Sequence, residues 1–278
     1  MPGIRGLLRK AIPLRASVFG DAKDEFNGKM DRLENNVLEL SNRLDGLEQI
    51  LGEIYGSTQE IIYAESLRSS TNGCKWLEGA SFSPGRWAVG YQYLYVLFHV
   101  LNDTRPKSIL DLGLGQTTNM IARYASSFDG IQHDTIEHDE NRIHFFEAEC
   151  GVSDRTNVIQ LPLAMERCND CASPVRAYDG FGEALRGKQY DLISIDAPFG
   201  YDMEELSRID VLKMLPGILS DSFVIMLDDY NRVGEQHTTE RMKSVLDEHG
   251  IDYVAGVYRG SKSMLVICSP DKSFITSL

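Results

Sequence analysis

The sequence predicts an α/β domain built on a seven-stranded, mostly parallel sheet with a terminal antiparallel hairpin, preceded by an N-terminal α-helical coiled coil. Three observations carry this reading. Beyond Arg105, short apolar runs alternate with helical stretches, the pattern of parallel strands joined by crossover helices. Near the C-terminus, two strand-like runs are separated only by RGSKS, too short for a crossover, so they form an antiparallel hairpin. Ahead of all this, apolar residues recur alternately four and three apart from Phe26 to Ile54, a helical period of 3.5.

Taken in order, the chain reads as a basic segment (1–20), a coiled-coil helix (21–60), connecting helices and loops (61–104) and a ligand-binding domain (105–278). The first segment holds Arg5, Arg9, Lys10 and Arg15 and no acid. Basic residues interrupt its apolar stretches, so it is no secretory signal. It reads as a frayed tail or as a weak amphipathic foot on an anionic membrane surface. The chain as a whole is acidic: 28 basic against 41 acidic residues give a net charge of -13, a field that repels phosphate backbones and argues against nucleic-acid binding. No run of about 18 apolar residues occurs, so no membrane-spanning helix is expected. Five cysteines, an odd number, fit a reducing cytoplasm. Cys168 and Cys171 make one CxxC, without the second ligand pair that a zinc site needs.

The heptad positions are Phe26, Met30, Leu33, Val37, Leu40, Leu44, Leu47, Leu51 and Ile54, with Asp31, Arg32, Glu34, Glu39, Arg43, Asp45 and Glu48 between them. So narrow a stripe has little to bury against on an isolated helix. Self-association into a dimer or trimer through residues 26–54 is expected; the alternative is a helix lying on its own domain. Gly46, Gly52 and Gly56 weaken the helix toward its end. From 57 to about 87 the pattern turns irregular, with loops at STNG and SPGRW. Trp76 and Trp87 fall here, either wedged between rod and globule, lining a cleft, or packed in the core. Residues 88–102 read as a buried helix. Strands are expected at 108–112, 132–137, 157–161, 190–195, 223–227, 253–257 and 264–268, and helices near 116–127, 140–150, 204–220 and 235–249.

SILDLGLGQTT places Asp111, Gly113 and Gly115 at a strand end before a helix, where glycines allow close backbone approach and the helix start offers unpaired N–H groups. Glu137 ends the next strand, where a carboxylate accepts hydrogen bonds from both ribose hydroxyls; neighbouring Asp139 competes for that role. The dinucleotide fingerprint wants a third glycine where Thr118 stands, which counts against an NAD-dependent oxidoreductase. Asp111 two residues before the first glycine, together with the closing hairpin, resembles the class I S-adenosylmethionine-dependent methyltransferases over roughly residues 85–270. That resemblance implies a Rossmann-like fold, with Asp111, Gly113, Gly115, Gln116, Glu137 and Asp196 at the S-adenosylmethionine donor.

Two further segments place acids just past strand ends, the edge at which open α/β sheets bind ligands. These are YDLISIDAPFGY with Asp196, and FVIMLDDYNRVGEQHT with Asp228 and Asp229. Three acids on one rim repel one another unless a cation or substrate hydrogen bonds stabilise them, and hard oxygen ligands suit Mg2+ or a similar ion. The pattern looks like the macrocin-type sugar O-methyltransferases, in which such acids hold a metal, although Pro198 stands where those enzymes have a second acid. DAPFGY followed by Arg208, then Asp229, Arg232 and Glu235, is also similar to glucuronoxylan 4-O-methyltransferases. That match implies Asp196 and Asp229 at the acceptor, with Arg232 and Glu235 shaping the site. His237 is the best placed histidine for a general base.

The expectation is therefore a cytoplasmic S-adenosylmethionine-dependent O-methyltransferase with a sugar or glycan acceptor. Its catalytic residues would be drawn from Asp196, Asp229, Arg232 and His237, with a divalent cation on Asp196, Asp228 and Asp229. The alternatives are a metal-dependent O-methyltransferase of a small molecule, an NAD-dependent oxidoreductase, or a coiled-coil tether whose nucleotide domain is inactive.

Overall fold

A computed structural model describes residues 4–84, 88–150, 154–168 and 171–278, and the side chains of all of these except 4–22, 149 and 150. The basic side chains of segment 1–20 and Trp87 lie outside the described residues. The chain divides into two compact units, residues 1–54 and 55–278. Helix α1 covers Ile4–Thr71. In the first unit, Leu33, Val37, Leu40, Leu44, Leu47, Leu51 and Ile54 of the heptad stripe each leave more than half of their surface exposed.

In the second unit the helix persists to Thr71, where irregular chain was expected from residue 57. Neither glycine nor proline occurs between Gly56 and Asn72, and Tyr63 and Leu67 pack into the core. Gly73, at φ +77°, ends the helix. Gly56 has a different use from the expected weakening: a Cβ there would lie 3.0 Å from the carbonyl oxygen of Gly260. Trp76 is a core residue, stacked on Phe98 at 5.8 Å and edge-on to Tyr124. Helix α2 (Tyr91–His99) runs on into a π-helical turn, Val100–Thr104, and is buried as expected.

The sheet follows, with β1 (Ser108–Leu112), α3 (Gln116–Ser127), β2 (Gln132–Glu137), α4 (Glu140–Cys150) and β3 (Thr156–Gln160). Then come a short pair, β4 (Leu163–Glu166) and β5 (Val175–Tyr178), a single turn α5 (Phe181–Ala184), β6 (Tyr190–Ile195) and β7 (Leu219–Leu227). The chain closes with α6 (Val233–Glu248), β8 (Val254–Arg259) and β9 (Ser263–Cys268). Seven strands form one sheet in the order β3-β2-β1-β6-β7-β9-β8, all parallel except β9, which is antiparallel to both β7 and β8. This is the seven-stranded sheet with closing hairpin that the sequence predicts. Alternate residues of each central strand enter opposite cores: Leu192 packs with Trp76, α2 and α3, while Ile193 packs with Met242 and Leu246 of α6.

Two departures matter for the site. The antiparallel pair β4–β5 forms in a stretch given no assignment from the sequence. The helix expected near 204–220 is absent; before β7 begins at Leu219 that segment holds only a 3-10 turn, Leu212–Met214. Residues 206–211 are all buried, which a helix lying on a surface cannot achieve. Each polar member has its own partner instead. The Ser207 N–H donates to Thr238 Oγ1, Asp210 accepts from the Tyr178 N–H, and Arg208 turns inward at φ +55°. Among the described residues no helix is long and apolar enough to cross a membrane.

Candidate functional site

The parallel strands β1, β2, β6 and β7 end on one edge of the sheet, and every predicted acid lies there. Gly113, at φ +101°, follows β1, and a Cβ on it would sit 2.9 Å from Ala197 Cβ and 3.5 Å from the Asp196 carbonyl carbon. Only glycine lets this loop lie against the end of β6. Gly115 differs: a Cβ there would meet nothing within 4 Å, so open space lies over the loop at the start of α3. Asp111 is fully buried beneath, and its Oδ2 accepts from Thr118 Oγ1 at 2.6 Å and Thr117 Oγ1 at 3.3 Å. Burial raises its pKa to about 6 against the lowering effect of the Thr118 hydroxyl. Thr118 also accepts the Gly115 N–H at 3.1 Å, so a polar tie stands where a dinucleotide site has its third glycine. Gln116 Oε1 accepts the Ser83 N–H at 3.1 Å.

Glu137 ends β2 as expected, with its side chain only 2% exposed. Its carboxylate accepts backbone N–H groups from Leu114 (3.2 Å), His138 (2.7 Å) and Asp139 (3.0 Å), and the His138 ring lies 2.8 Å away. It thereby ties the glycine loop to the end of β2. Asp139 is engaged elsewhere, with Oδ1 accepting the Asn141 N–H in the first turn of α4.

Beside the glycine loop, Asp196 past β6 meets Asp228 and Asp229 past β7. The repulsion expected among them is answered by three cations from the chain itself. Arg208, almost wholly buried, reaches Asp229 Oδ2 at 2.7 Å and Asp196 Oδ1 at 3.4 Å, and donates to the carbonyls of Asp228, Ile195 and Pro198. Arg232 lies 2.9 Å from Asp229 Oδ2 and 3.6 Å from Glu235 Oε1. Lys262, in the β8–β9 turn, lies 3.3 Å from Asp228 Oδ2 and 3.4 Å from Asp229 Oδ1. Burial, then the neighbouring Asp228 charge, push the Asp196 carboxyl well above its usual range, with Arg208 and Lys262 opposing. Burial likewise raises Asp228, against Lys262. For Lys262 and Arg208 burial works against the charge, and the surrounding carboxylates overcome it, so both are held protonated. Asp196, 18% exposed, is the member of the triad most open to an acceptor; Asp228 and Asp229 are 0% and 5% exposed.

One carboxylate oxygen from each of Asp196, Asp228 and Asp229 lies within 4.8 Å of the others, and Asp228 Oδ1 is buried without a hydrogen-bond partner. The donor set is right for a hard cation. Its surroundings are not, since the Arg208, Arg232 and Lys262 charges lie on the same carboxylates. As arranged, these residues do not fit a divalent ion.

His237 is not brought to the acids. It is exposed on α6, with Nδ1 against the Glu205 carbonyl at 2.9 Å. His133 is buried with its pKa lowered to about 3 by burial, which removes it as a base near neutrality. Cys168 and Cys171 pack with Val175, Leu206 and Ile209, and among the described residues only the aspartate triad groups metal-ligating atoms. Lys262 is the member of the cluster that the sequence does not reveal. Its place follows once β9 runs antiparallel beside β7, with Leu265 opposite Leu227, because the residue before β9 then lies next to the acids after β7.

No protein-family model matches the chain, and no curated protein matches it. Among solved structures, 208 chains match. The chain is similar to an O-methyltransferase from Bacillus cereus in complex with SAH, at 16% identity over 74% of this chain and 90% of that one, TM-score 0.44. It is similar to the O-methyltransferase TomG from Streptomyces achromogenes, involved in tomaymycin synthesis and bound to SAM, at 13% identity over 78% and 98%, TM-score 0.47. It is also similar to a spermidine synthase from Thermotoga maritima, at 14% identity over 64% and 58%, TM-score 0.40.

Proposed function

We propose that this protein is an S-adenosylmethionine-dependent O-methyltransferase acting on a hydroxyl of a sugar or polysaccharide, working in the cytoplasm as a homo-oligomer joined through residues 26–54. A weak contact of residues 1–20 with the inner membrane face belongs to the same reading. The observation that carries it is the close approach of Gly113 to Asp196 and Ala197. That contact sets an open glycine loop, suited to a nucleoside donor, directly beside a carboxylate suited to an acceptor hydroxyl.

S-adenosylmethionine, when bound, supplies an electrophilic sulfonium methyl. The Gly113–Gly115 loop and the start of α3 would hold the donor, with Glu137, the acid that ends β2, for its ribose hydroxyls. The protein's chief task is to align the acceptor oxygen with the S–C bond at near-attack distance. Asp196 is the residue placed to take the acceptor's hydroxyl proton. Arg208 and Lys262 oppose the burial that raises the Asp196 carboxyl, and Asp229 and Arg232 fix Arg208 and Glu235 around it. Phe199 and Tyr201, three and five residues beyond Asp196, stack at 5.9 Å and are exposed. Aromatic faces beside carboxylates suit a sugar, which offers C–H faces to the rings and hydroxyls to the acids. The test is transfer of labelled methyl from S-adenosylmethionine to a panel of sugars and polysaccharides. A glycan should be labelled by the wild type, whereas a labelled phenol or amine with no labelled sugar would contradict the assignment.

A further inference from the structure

The geometry points to Lys262 as the resident cation of the acid cluster: we infer that its ammonium stands where a divalent ion would sit, so that the site works without a metal. The inference rests on reading that cluster as the acceptor site, and adds how the cluster is kept charged.

An ammonium has three N–H donors, and Lys262 Nζ has three oxygens around it: Ala88 O at 3.1 Å, Asp228 Oδ2 at 3.3 Å and Asp229 Oδ1 at 3.4 Å. Nothing is left over for a role as a mobile surface lysine. The turn that carries it is fixed from the other side. Glu60 of α1 accepts the Ser261 N–H (3.2 Å), the Ser261 hydroxyl (3.1 Å) and the Tyr91 N–H (2.8 Å). Gln92 Nε2 donates to the Lys262 carbonyl at 3.3 Å. A Cβ on Gly260 would lie 2.5 Å from Glu60 Oε1 and 3.1 Å from Gln92 Oε1, so the turn lies directly against both side chains. Asp196, Asp228, Asp229 and Glu235 thus face Lys262, Arg208 and Arg232, and a divalent ion among these carboxylates would be repelled by three cations at short range. Neutralising Lys262 alone removes the charge nearest to Asp228 and frees Asp228 Oδ2 and Asp229 Oδ1, oxygens that Arg208 and Arg232 do not hold, for a hard ion.

The test titrates the full-length protein with Mn2+ and follows the free-ion electron paramagnetic resonance signal. Wild type and Lys262→Arg should bind no Mn2+ at the cluster. Lys262→Met should gain a site at least about tenfold tighter than any residual binding by the wild type, lost again when Asp228→Asn is added. Lys262→Gln repeats the comparison should the Met variant fail to fold. Mn2+ bound by the wild type and removed by Asp228→Asn would overturn the inference, as would folded Lys262 variants that gain no ion. Both outcomes are independent of methyl transfer: a metal-loaded wild type that still methylates sugars would refute the role of Lys262 alone.

Discussion

At the scale of single residues, Arg208 and Asp229 show how the site is held. Both are non-glycine residues in left-handed backbone, at φ +55° and +58°, both are buried, and they are joined at 2.7 Å. Such conformations cost roughly 1–3 kcal/mol each and persist where surrounding interactions over-determine them. Here the ion pair does so, and Asp229→Asn should lower unfolding stability by about 3 kcal/mol in urea, because it strips a buried guanidinium of its nearest charge. Asp196→Asn should behave oppositely. The Asp196 carboxyl is raised well above its usual range, so its ionised form costs stability in the folded state. The amide should leave the protein at least as stable at pH 8 while methyl transfer falls about a hundredfold or more. Asp196 is legible from the sequence because it ends an apolar strand. Lys262 is not, because its meaning depends on which strand lies beside β9.

At the scale of elements, the β8–β9 hairpin depends on a helix 200 residues earlier in the chain. Glu60→Ala would leave the Tyr91 and Ser261 N–H groups without their carboxylate, at about 1–3 kcal/mol. Amide hydrogen exchange at 260–264 should quicken, and unchanged protection would show that Glu60 does not fix the turn. The failed helix near 204–220 has the same lesson. EELSRIDVLKML has helical spacing, but Ser207, Arg208 and Asp210 each answer to a partner on another element, and local periodicity loses to those contacts. The heptad stripe of α1 is read from sequence and remains exposed in the single chain. Leu40→Glu with Leu47→Glu should reduce the sedimenting mass to that of one chain.

At the scale of the molecule, the negative excess is partly internal. Burial raises the carboxyls of Asp111 and Asp210 to about 6 and those of Asp196, Asp228 and Glu235 in the same direction. The folded chain therefore holds more protons than the unfolded one above the ordinary carboxylate range, and stability falls as pH rises through the folded values. For Asp111 alone the shift corresponds to about 3 kcal/mol. Asp134, Asp202 and Asp271 are shifted down and titrate below this range, whereas buried His133, lowered to about 3, opposes the trend as a single group because below its ordinary value only the unfolded imidazole takes a proton. The melting temperature should be higher near pH 5.5 than at pH 8. The strands that build this edge were legible to the residue at 108–112, 132–137 and 190–195, the first and last as largely apolar runs and the second, whose one apolar residue is Ile136, through the acid that ends it. The pair β4–β5 was not, since four-residue strands have too little period to stand out from a loop.

The most direct measurement is a calorimetric titration of the full chain with S-adenosylmethionine and, separately, with NAD, repeated on Gly113→Val. One molecule of S-adenosylmethionine should bind per chain, NAD should not bind, and the valine variant should lose the donor. Saturable NAD binding with no heat from S-adenosylmethionine would contradict the methyltransferase assignment.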